Sequence, residues 1–301
     1  MTLNDGYTYR EEIGADADGR TLLTYLAQRY THSSESAWRE RIEAGLVRLN
    51  GHAAPPDTVL RRGQILEWHR PPWPEPEAPV DFAVLFRDEH VLAVAKPAGL
   101  PAMPAANYVR NTLLARVQDR FPKAAPLHRL GRWTSGVTVF ALTHEASAAL
   151  SKAWGSGAVV KIYRALASGS PAGDVFTVDT PIGPVPHEVL GTVHGAAVDG
   201  KTARSHVRVL ERRADGFLAE VRIDTGRPHQ IRIHLAAAGH PLVGDPLYGP
   251  GGVPPAGCRA LPGDPGYSLH AMEVRFRHPA TGQAVAISCA PPGALRLPAL
   301  P

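Results

Sequence analysis

The sequence predicts an α+β protein in which a small α/β module precedes a larger domain built on a large mixed, mostly antiparallel sheet. Three observations lead to this fold class. Two amphipathic helical segments lie near the amino terminus, and a proline-dense stretch follows them. The rest of the chain holds eight apolar strand-like runs but only three helical stretches, without regular alternation.

The overall composition is that of a folded, water-soluble protein. The chain has 301 residues, enough for two unequal domains, and 44% of them are hydrophobic while 20% are charged. Lysine and arginine outnumber the acids by 32 to 28, a net charge of +4, and much of the basic content is arginine. Arginine suits bidentate phosphate contacts. The balance favours a polyanionic partner but leaves an ordinary soluble surface open.

The cysteines and the apolar runs indicate a cytoplasmic location. Cys258 and Cys289 are far apart and have no neighbours at metal-ligand spacing, so we expect neither a disulfide framework nor a cysteine zinc site. The first ten residues lack the apolar core of a signal peptide. No run of about 18 apolar residues exists, so we expect no membrane span.

The small module is predicted over residues 19–70, after a polar segment, 1–18, that is loose or an edge strand. Its first helix, 21–30, has apolar residues at helical spacing. Its second helix begins at a serine N-cap and stops at a glycine. Short strands follow it, in 46–51 and 59–69.

A stiff linker, a large domain and a short tail are predicted after the small module. The linker, 71–80, contains PPWPEPEAP and can form neither a helix nor a central strand. The large domain is predicted over 81–292, and the end, 293–301, as a tail. Its helices are expected near 111–120, 144–155 and 229–238.

The stretch GLVRLNGHAAPPDTVLRRGQIL resembles the end of the S4 RNA-binding module. In that family two helices bind structured RNA through charge and shape, which implies an RNA-binding role for Arg39 and Arg41 on the second helix. A capping module without RNA contact remains the alternative.

Four stretches of the large domain could carry chemistry. Read alone, each also has an ordinary explanation: a solvated strand end for Lys96, a buried aromatic for Tyr163, and a surface ion pair for Arg232. His229 and His234 suggest a metal, but the acidic ligand and general base of a metallohydrolase helix are missing, so we expect no metal. The four stretches are AVAKPAGLPAMP (93–104), LHRLGRWTSGVTVFALT (127–143), KIYRAL (161–166) and TGRPHQIRIHLAAAGHPLVGDPLYG (225–249).

Together and in this order, these stretches resemble the pseudouridine synthases of the RluA type. That family isomerises uridine in structured RNA, and the resemblance covers about residues 82–290. It implies the pseudouridine synthase fold, a flipped target nucleotide and a reaction that needs no cofactor. An S4-like module ahead of this domain is a common arrangement in the family.

The resemblance also implies a catalytic aspartate directly after His-Arg-Leu, and here that position is Gly131. No carboxylate occurs between Asp119 and Glu145, so a small shift in register does not supply one. We expect an RNA phosphate, water or another carboxylate beside the arginine that the aspartate would pair with. Asp224, Asp245 and Asp264 are the candidates, although Asp245 is expected to satisfy its own turn.

The other site residues follow from the same resemblance. Gly131, Tyr163 and Arg232 occupy the catalytic positions; the tyrosine packs on the target base, and the arginine pairs with the missing aspartate. Arg129 fills the space that the flipped nucleotide leaves. The predicted RNA contacts of the large domain are Lys96, Arg129, Arg132, Arg227 and His229.

Two functions remain open at this stage. The first is an RNA pseudouridine synthase acting on rRNA or tRNA, and the second is a catalytically silent relative that binds or remodels RNA because Gly131 replaces the nucleophile. A metal-dependent hydrolase is a distant third. The predicted partner is structured RNA, without membrane or metal, and the protein is expected to be a monomer. Specificity is expected in the 171–204 insertion and the 249–266 loop.

Overall fold

A computed structural model describes residues 3–297 and divides the chain into two compact units. The first unit extends through Glu75 and the second begins at Pro76. The division falls inside the proline-rich stretch. Among the described residues, no helix is long and apolar enough to cross a membrane.

The first unit packs two helices against a four-stranded antiparallel sheet of order β1-β4-β2-β3. Thr21 and Ser34 cap the helices by accepting hydrogen bonds from Thr24 N and Ala37 N. Trp38 and Leu26 are 1% exposed and centre the core. The elements are β1 (Tyr7–Glu12), α1 (Leu22–Arg29), α2 (Glu35–Glu43), β2 (Val47–Leu49), β3 (His52–Ala53) and β4 (Ile65–Arg70).

The second unit contains three helices and twelve strands among its described residues. The helices are α3 (Leu113–Arg120), α4 (His144–Gly155) and α5 (Gln230–Ala237). The strands are β5 (Ala83–Arg87), β6 (Val91–Lys96), β7 (Ala125–Pro126), β8 (Thr134–Ala141), β9 (Val160–Ser168), β10 (Val175–Val178), β11 (Ile182–His187), β12 (Gly191–Ala196), β13 (Ser205–Arg213), β14 (Gly216–Ile223), β15 (Leu269–Arg277) and β16 (Ala284–Ser288).

Ten of these strands form one sheet, with the path β10-β13-β14-β9-β15-β8-β6-β5 and with β16 and β7 added beside β15 and β8. The described pairs of this sheet are antiparallel except β8 with β15. Gly136 permits that contact, because a Cβ there would lie 2.2 Å from the carbonyl oxygen of Ala271. The α+β class with a large mixed, mostly antiparallel sheet is therefore confirmed.

Helices cover the sheet and fix its core. Leu235 of α5 packs with Phe217 and Val221 of β14, and Leu150 of α4 packs with Val139 of β8. These side chains are essentially inaccessible to solvent. Packing of this kind holds the amino-terminal end of α5 beside the ends of β9 and β14.

Three predicted boundaries change in the structure. The segment before residue 19 contains β1, which pairs with β4 along its whole length because its residues continue the antiparallel ladder. The predicted linker is packed: Trp73 and Glu75 are buried within the first unit, and Ala78 and Val80 pack on the core of the second. The predicted tail contains a 3₁₀ turn with Leu295 buried; residues 298–301 lie outside the described residues.

The 171–204 insertion is more ordered than its sequence suggests. It contributes the edge strand β10 and a separate hairpin, β11 and β12. Ile182 of the hairpin packs with Ile233 of α5 and with Leu247. Period-two alternation is broken by prolines in β11, which explains why the hairpin was not predicted.

Candidate active site

A cleft opens where the 127–134 loop, the strands β9 and β14 and the start of α5 meet. Its cavity volume is about 90 Å³. The loop, β9 and α5 each contribute one of the predicted catalytic positions. The polar residues and the glycine that line it are Arg129, Gly131, Thr134, Tyr163, Arg227, His229, Gln230, Arg232 and Tyr267.

The loop is held at its base by His128. The Nε2 atom of this residue accepts a hydrogen bond from the backbone N–H of Val139 at 3.1 Å, and its ring stacks on Trp154. Burial, together with the charge of Lys161, lowers the pKa of His128 to about 4, so the ring is neutral at physiological pH. The histidine of the His-Arg-Leu triplet therefore anchors the loop, a role that the sequence did not reveal.

Lys96 holds the loop from the other side, and the prediction that it contacts RNA is wrong. Its side chain is 1% exposed, and its ammonium donates to the carbonyl oxygens of Pro97, Leu100 and Arg132 at 2.9, 2.6 and 2.9 Å. Burial and the nearby charge of Arg132 lower its pKa to about 7. With all three donors used inside the protein, Lys96 joins two loops and has none left for a phosphate.

Gly131 lies in the exposed part of the loop, outside the left-handed region of backbone conformation. A Cβ at this position would lie 3.1 Å from Tyr267 Oη and 3.4 Å from Thr134 Oγ1. The backbone could therefore carry a side chain, but the direction in which it would point is already occupied by a tyrosine hydroxyl.

Arg232 forms a bidentate ion pair with Asp245. Its Nε and one terminal nitrogen donate to the two carboxylate oxygens at 2.7 and 2.8 Å, and the other terminal nitrogen donates to Pro262 O at 3.1 Å. The two side chains are 2% and 0% exposed. Burial alone would lower the pKa of Arg232, but the hydrogen bonds that it donates to Asp245 outweigh burial and raise the pKa. The expected carboxylate is thus present.

Asp245 also satisfies its own turn, as expected from the GDPLYG sequence. Its Oδ1 accepts from the N–H groups of Leu247 and Tyr248 at 3.0 and 3.2 Å. The Asp245 carboxylate therefore both pairs with Arg232 and accepts from the N–H groups of its own turn, because this turn lies beside α5. The other two candidates are engaged elsewhere: Asp224 accepts from His206, and Asp264 from the N–H of Leu261.

His229 begins α5 in a left-handed conformation, with φ of 55°. Its Nδ1 lies 2.7 Å from Tyr248 Oη, and that hydroxyl donates its only proton to His194 O at 2.7 Å. His229 must therefore donate from Nδ1 and keep the lone pair on Nε2. Burial and the charge of Arg232 lower its pKa to about 3, so it is neutral at physiological pH. Strained backbone of this kind is frequent at functional sites.

Tyr163 projects from β9 and is half-buried in the wall of the cleft. Burial raises the pKa of its phenol to about 12, so the hydroxyl is protonated. Within residues 3–297 this hydroxyl has no hydrogen-bond partner, which leaves it available to a molecule in the cleft.

The three arginines of the large domain that were predicted to contact RNA differ in how far their side chains are free to bind it. Arg129 is exposed at the rim and forms no ion pair within the described part of the chain. Arg227 donates from Nε to Thr202 O and lines the cleft. Arg132 donates from Nε to Gly99 O, and its guanidinium lies 4.8 Å from the ring of Tyr108, so it is largely committed to the protein.

In the first unit, the two predicted RNA contacts are placed differently on α2. Arg39 is exposed and lies 3.6 Å from Glu35. Arg41 is half-buried, with its guanidinium 4.6 and 4.9 Å from the ring centroids of Trp38 and Trp68. Burial and the charge of Arg70 lower the pKa of Arg41. The guanidinium thus contacts both indoles, and it forms no ion pair with a described residue.

The two histidines that suggested a metal differ in how their ring nitrogens are used. His234 is buried, with its ring nitrogens 2.9 Å from Ser205 Oγ and from Thr180 O. His229 is bonded to Tyr248. Across the described chain, no group of three or more histidine, cysteine or acidic side chains could hold a metal ion.

Comparison with known proteins identifies the family. The RNA pseudouridylate synthase family profile matches residues 90–237. An uncharacterized RNA pseudouridine synthase of Synechocystis sp. is 41% identical, covering 92% of this chain and 96% of its own. Ribosomal large subunit pseudouridine synthase D of Pseudomonas aeruginosa is 34% identical, over 90% and 88%. The structure of human RNA pseudouridylate synthase domain containing 1 matches with a TM-score of 0.56 at 26% identity, covering 72% of this chain and 86% of its own.

These matches define the class of protein: its fold is that of the RNA pseudouridine synthases. The chain belongs to the RNA pseudouridine synthase family, as its sequence motifs predicted. The pseudouridine synthase fold is confirmed as well. The S4-like character of the first unit and the roles of the individual site residues stay predictions.

Two residues of the site were missed by sequence reasoning. Tyr267 stands in a Gly/Pro-rich loop just before β15, and no motif singled it out. Tyr248 is the last aromatic of GDPLYG and was read only as part of a turn. The motif singled out Arg232, but the two tyrosines that contact it could be found only from the three-dimensional structure.

Proposed function

We propose that this protein isomerises uridine to pseudouridine in structured RNA, either rRNA or tRNA. The observation that supports this best is the cleft itself. A half-buried tyrosine with an unpaired hydroxyl faces an exposed arginine across it, next to a buried arginine whose charge is balanced. Family membership supplies the reaction.

The reaction requires a nucleotide to leave its stack and enter the cleft. Arg129, exposed and without an ion-pair partner in the described chain, fills the gap in the RNA. Tyr163 packs against the flipped base. Arg227 and the neutral ring of His229 complete the contacts to the nucleotide at the start of α5, where backbone N–H groups favour phosphate.

The first unit adds affinity for the folded RNA. Arg41, which contacts two indoles, and the exposed Arg39 bind backbone phosphates, as in an S4-like module. Hairpin β11–β12 and the 249–266 loop read the shape of the substrate. The protein acts as a monomer in the cytoplasm, where its RNA is made, and needs no cofactor.

A second function is favoured by one observation: the loop carries Gly131 where the family's resemblance implies a carboxylate. Loss of a covalent catalyst costs orders of magnitude in rate. A silent protein that binds and remodels RNA would keep the same fold and the same RNA contacts.

The two functions are separated by tritium release from rRNA and tRNA transcripts labelled at uridine C5. We expect wild-type protein to release tritium, as the isomerisation replaces the C5–H bond with a C–C bond. The Gly131→Asp variant is measured in parallel, and RNA binding by both proteins is measured on the same transcripts.

A wild-type protein that binds the transcripts and releases no tritium would overturn the proposal. Release by Gly131→Asp in that case would establish the silent binder, a competent scaffold without its nucleophile. The structure tolerates the variant, because Tyr267 Oη, at the end of a side chain, has to move by only a few tenths of an ångström.

A further inference from the structure

Tyr267 lies against the position that a Cβ on Gly131 would occupy. Its hydroxyl oxygen lies 3.1 Å from the Cβ position of residue 131 and is the nearest heavy atom to it. The tyrosine is 6% exposed, yet it lines the cleft. Its hydroxyl has no hydrogen-bond partner among residues 3–297. The hydroxyl is therefore available to a molecule bound in the cleft.

The position of Tyr267 is fixed together with that of Asp245. Gly244 and Gly266 precede these two residues and lie against each other. A Cβ on Gly244 would come within 2.4 Å of Gly266 O, and a Cβ on Gly266 within 2.2 Å of Gly244 O. Because neither position has a side chain, the two backbones touch. The carboxylate and the phenol are thereby set on the same arginine.

Arg232 connects the two groups. Its guanidinium carbon lies 4.1 Å from the centroid of the Tyr267 ring, while its Nε and one terminal nitrogen donate to Asp245. A cation over the ring stabilises negative charge that develops on the phenol oxygen. The ion pair keeps Arg232 in place, so that this stabilisation is present before substrate binds.

We propose that Tyr267 is a catalytic residue, and that its hydroxyl acts at the ribose anomeric carbon in place of the carboxylate that the loop lacks. The proposal rests on the proposed isomerase function and adds the group that carries it out. Tyrosine serves as the nucleophile in some enzymes that cleave glycosidic bonds.

The proposed cycle balances without an added reactant. Tyr267 Oη bonds to C1′ as the C1′–N1 bond breaks, and the phenolic proton passes to N1 of the departing uracil. The uracil turns in the cleft, and its C5 bonds to C1′ while the C1′–Oη bond breaks. The phenolate then takes the proton from C5, regenerating the phenol and leaving pseudouridine. That proton exchanges with water, which accounts for tritium release.

Tyr267→Phe tests the proposal because it removes one oxygen atom and keeps the ring over Arg232. We expect kcat for tritium release to fall by about 100-fold or more, with KM and RNA binding unchanged. Tyr25→Phe is the matched control: Tyr25 is 4% exposed and lies in the first unit, on α1. It should keep wild-type kcat.

A second variant protects the test against a simple folding defect. In Gly131→Asp/Tyr267→Phe the hydroxyl that lies 3.1 Å from the new Cβ is gone, so the carboxylate has room. We expect the double variant to recover at least about tenfold of the activity that Tyr267→Phe loses. Unfolding midpoints of all variants are measured alongside.

The outcomes separate the two levels of the proposal. Tritium release by Tyr267→Phe within twofold of an active wild type would overturn the role of Tyr267 and leave the isomerase intact. A wild type without release would overturn both. The role of Tyr267 would also be overturned if Tyr267→Phe is inactive and Gly131→Asp/Tyr267→Phe, although folded and bound to RNA, recovers no activity. That result would mean that the aspartate carboxylate cannot take the place of the tyrosine hydroxyl.

Discussion

Two arginines of this protein are each enclosed by a pair of aromatic rings, yet their electrostatic surroundings are opposite. Arg232 lies between Tyr248 and Tyr267 and is paired with Asp245. Arg41 contacts two indoles, lies near the positive Arg70 and forms no ion pair among the described residues. The pKa of the first is raised, and that of the second is lowered.

The charge of Arg232 is neutralised by an ion pair, whereas the charge of Arg41 is not. Arg232 is fully enclosed, and an isolated charge there would cost several kcal/mol. Arg41 remains half-exposed and can tolerate its unbalanced charge until an anion approaches. Both arginines contact aromatic rings. The difference is the carboxylate: Arg232 is paired with Asp245 and stabilises the fold, whereas Arg41 has no such partner among the described residues and can bind an anionic ligand.

The largest expected effect comes from removing the carboxylate at the buried site. Asp245→Asn keeps an oxygen for the turn N–H groups but leaves Arg232 unpaired, so the free energy of unfolding should fall by about 3–5 kcal/mol. Denaturant titration measures it. Asp174→Asn, which breaks an exposed pair with Arg212, should cost less than about 1 kcal/mol. Equal losses would contradict the comparison.

A smaller effect is expected at Lys96, a buried cation bound only by carbonyls. Lys96→Met should reduce the free energy of unfolding by roughly 1–3 kcal/mol, because the carbonyls lose their donor. The pKa is lowered to about 7 in the folded protein, so the unfolded chain binds more protons above that pH. The wild-type advantage over the variant should therefore grow from pH 7 toward pH 9. A constant difference across this range would refute the lowered pKa.

The smallest expected effect is at the open site. Arg41→Gln should weaken RNA binding about tenfold and reduce its salt dependence by about one counterion, with little change in unfolding. Filter binding at several salt concentrations measures both. Arg10→Gln removes an exposed arginine of the same unit that is close to Glu67, and should change affinity by about twofold or less. If the two variants behave alike, Arg41 is not a specific RNA contact.

The sequence predicted most of the architecture, because apolar periodicity and capping residues are local. The serine N-cap expected for α2 is Ser34, which accepts from Ala37 N. The hairpin β11–β12 was missed, since prolines disturb its alternation. Local patterns also could not show that β1 belongs to the first sheet, because its partner β4 is more than fifty residues away.

The site was predicted in its motifs and mistaken in some contacts. Arg232 and Tyr163 line the cleft together because their motifs end at it. Lys96 appeared to be a surface cation, but three carbonyls surround it, and carbonyl positions leave no trace in sequence. Asp245 and Tyr267 converge on Arg232 through folding of the 245–267 segment, a long-range event that spacing alone does not encode.

The contact between Gly244 and Gly266 restricts how this site can change. A single methyl group at either position would push the two backbones apart and displace the acid and the phenol together. Asp245 and Tyr267 can be exchanged for other chemistry one at a time, whereas their separation cannot be altered without losing both. In this protein the distance between the two groups is set by the absence of side chains, and it is inherited as one unit.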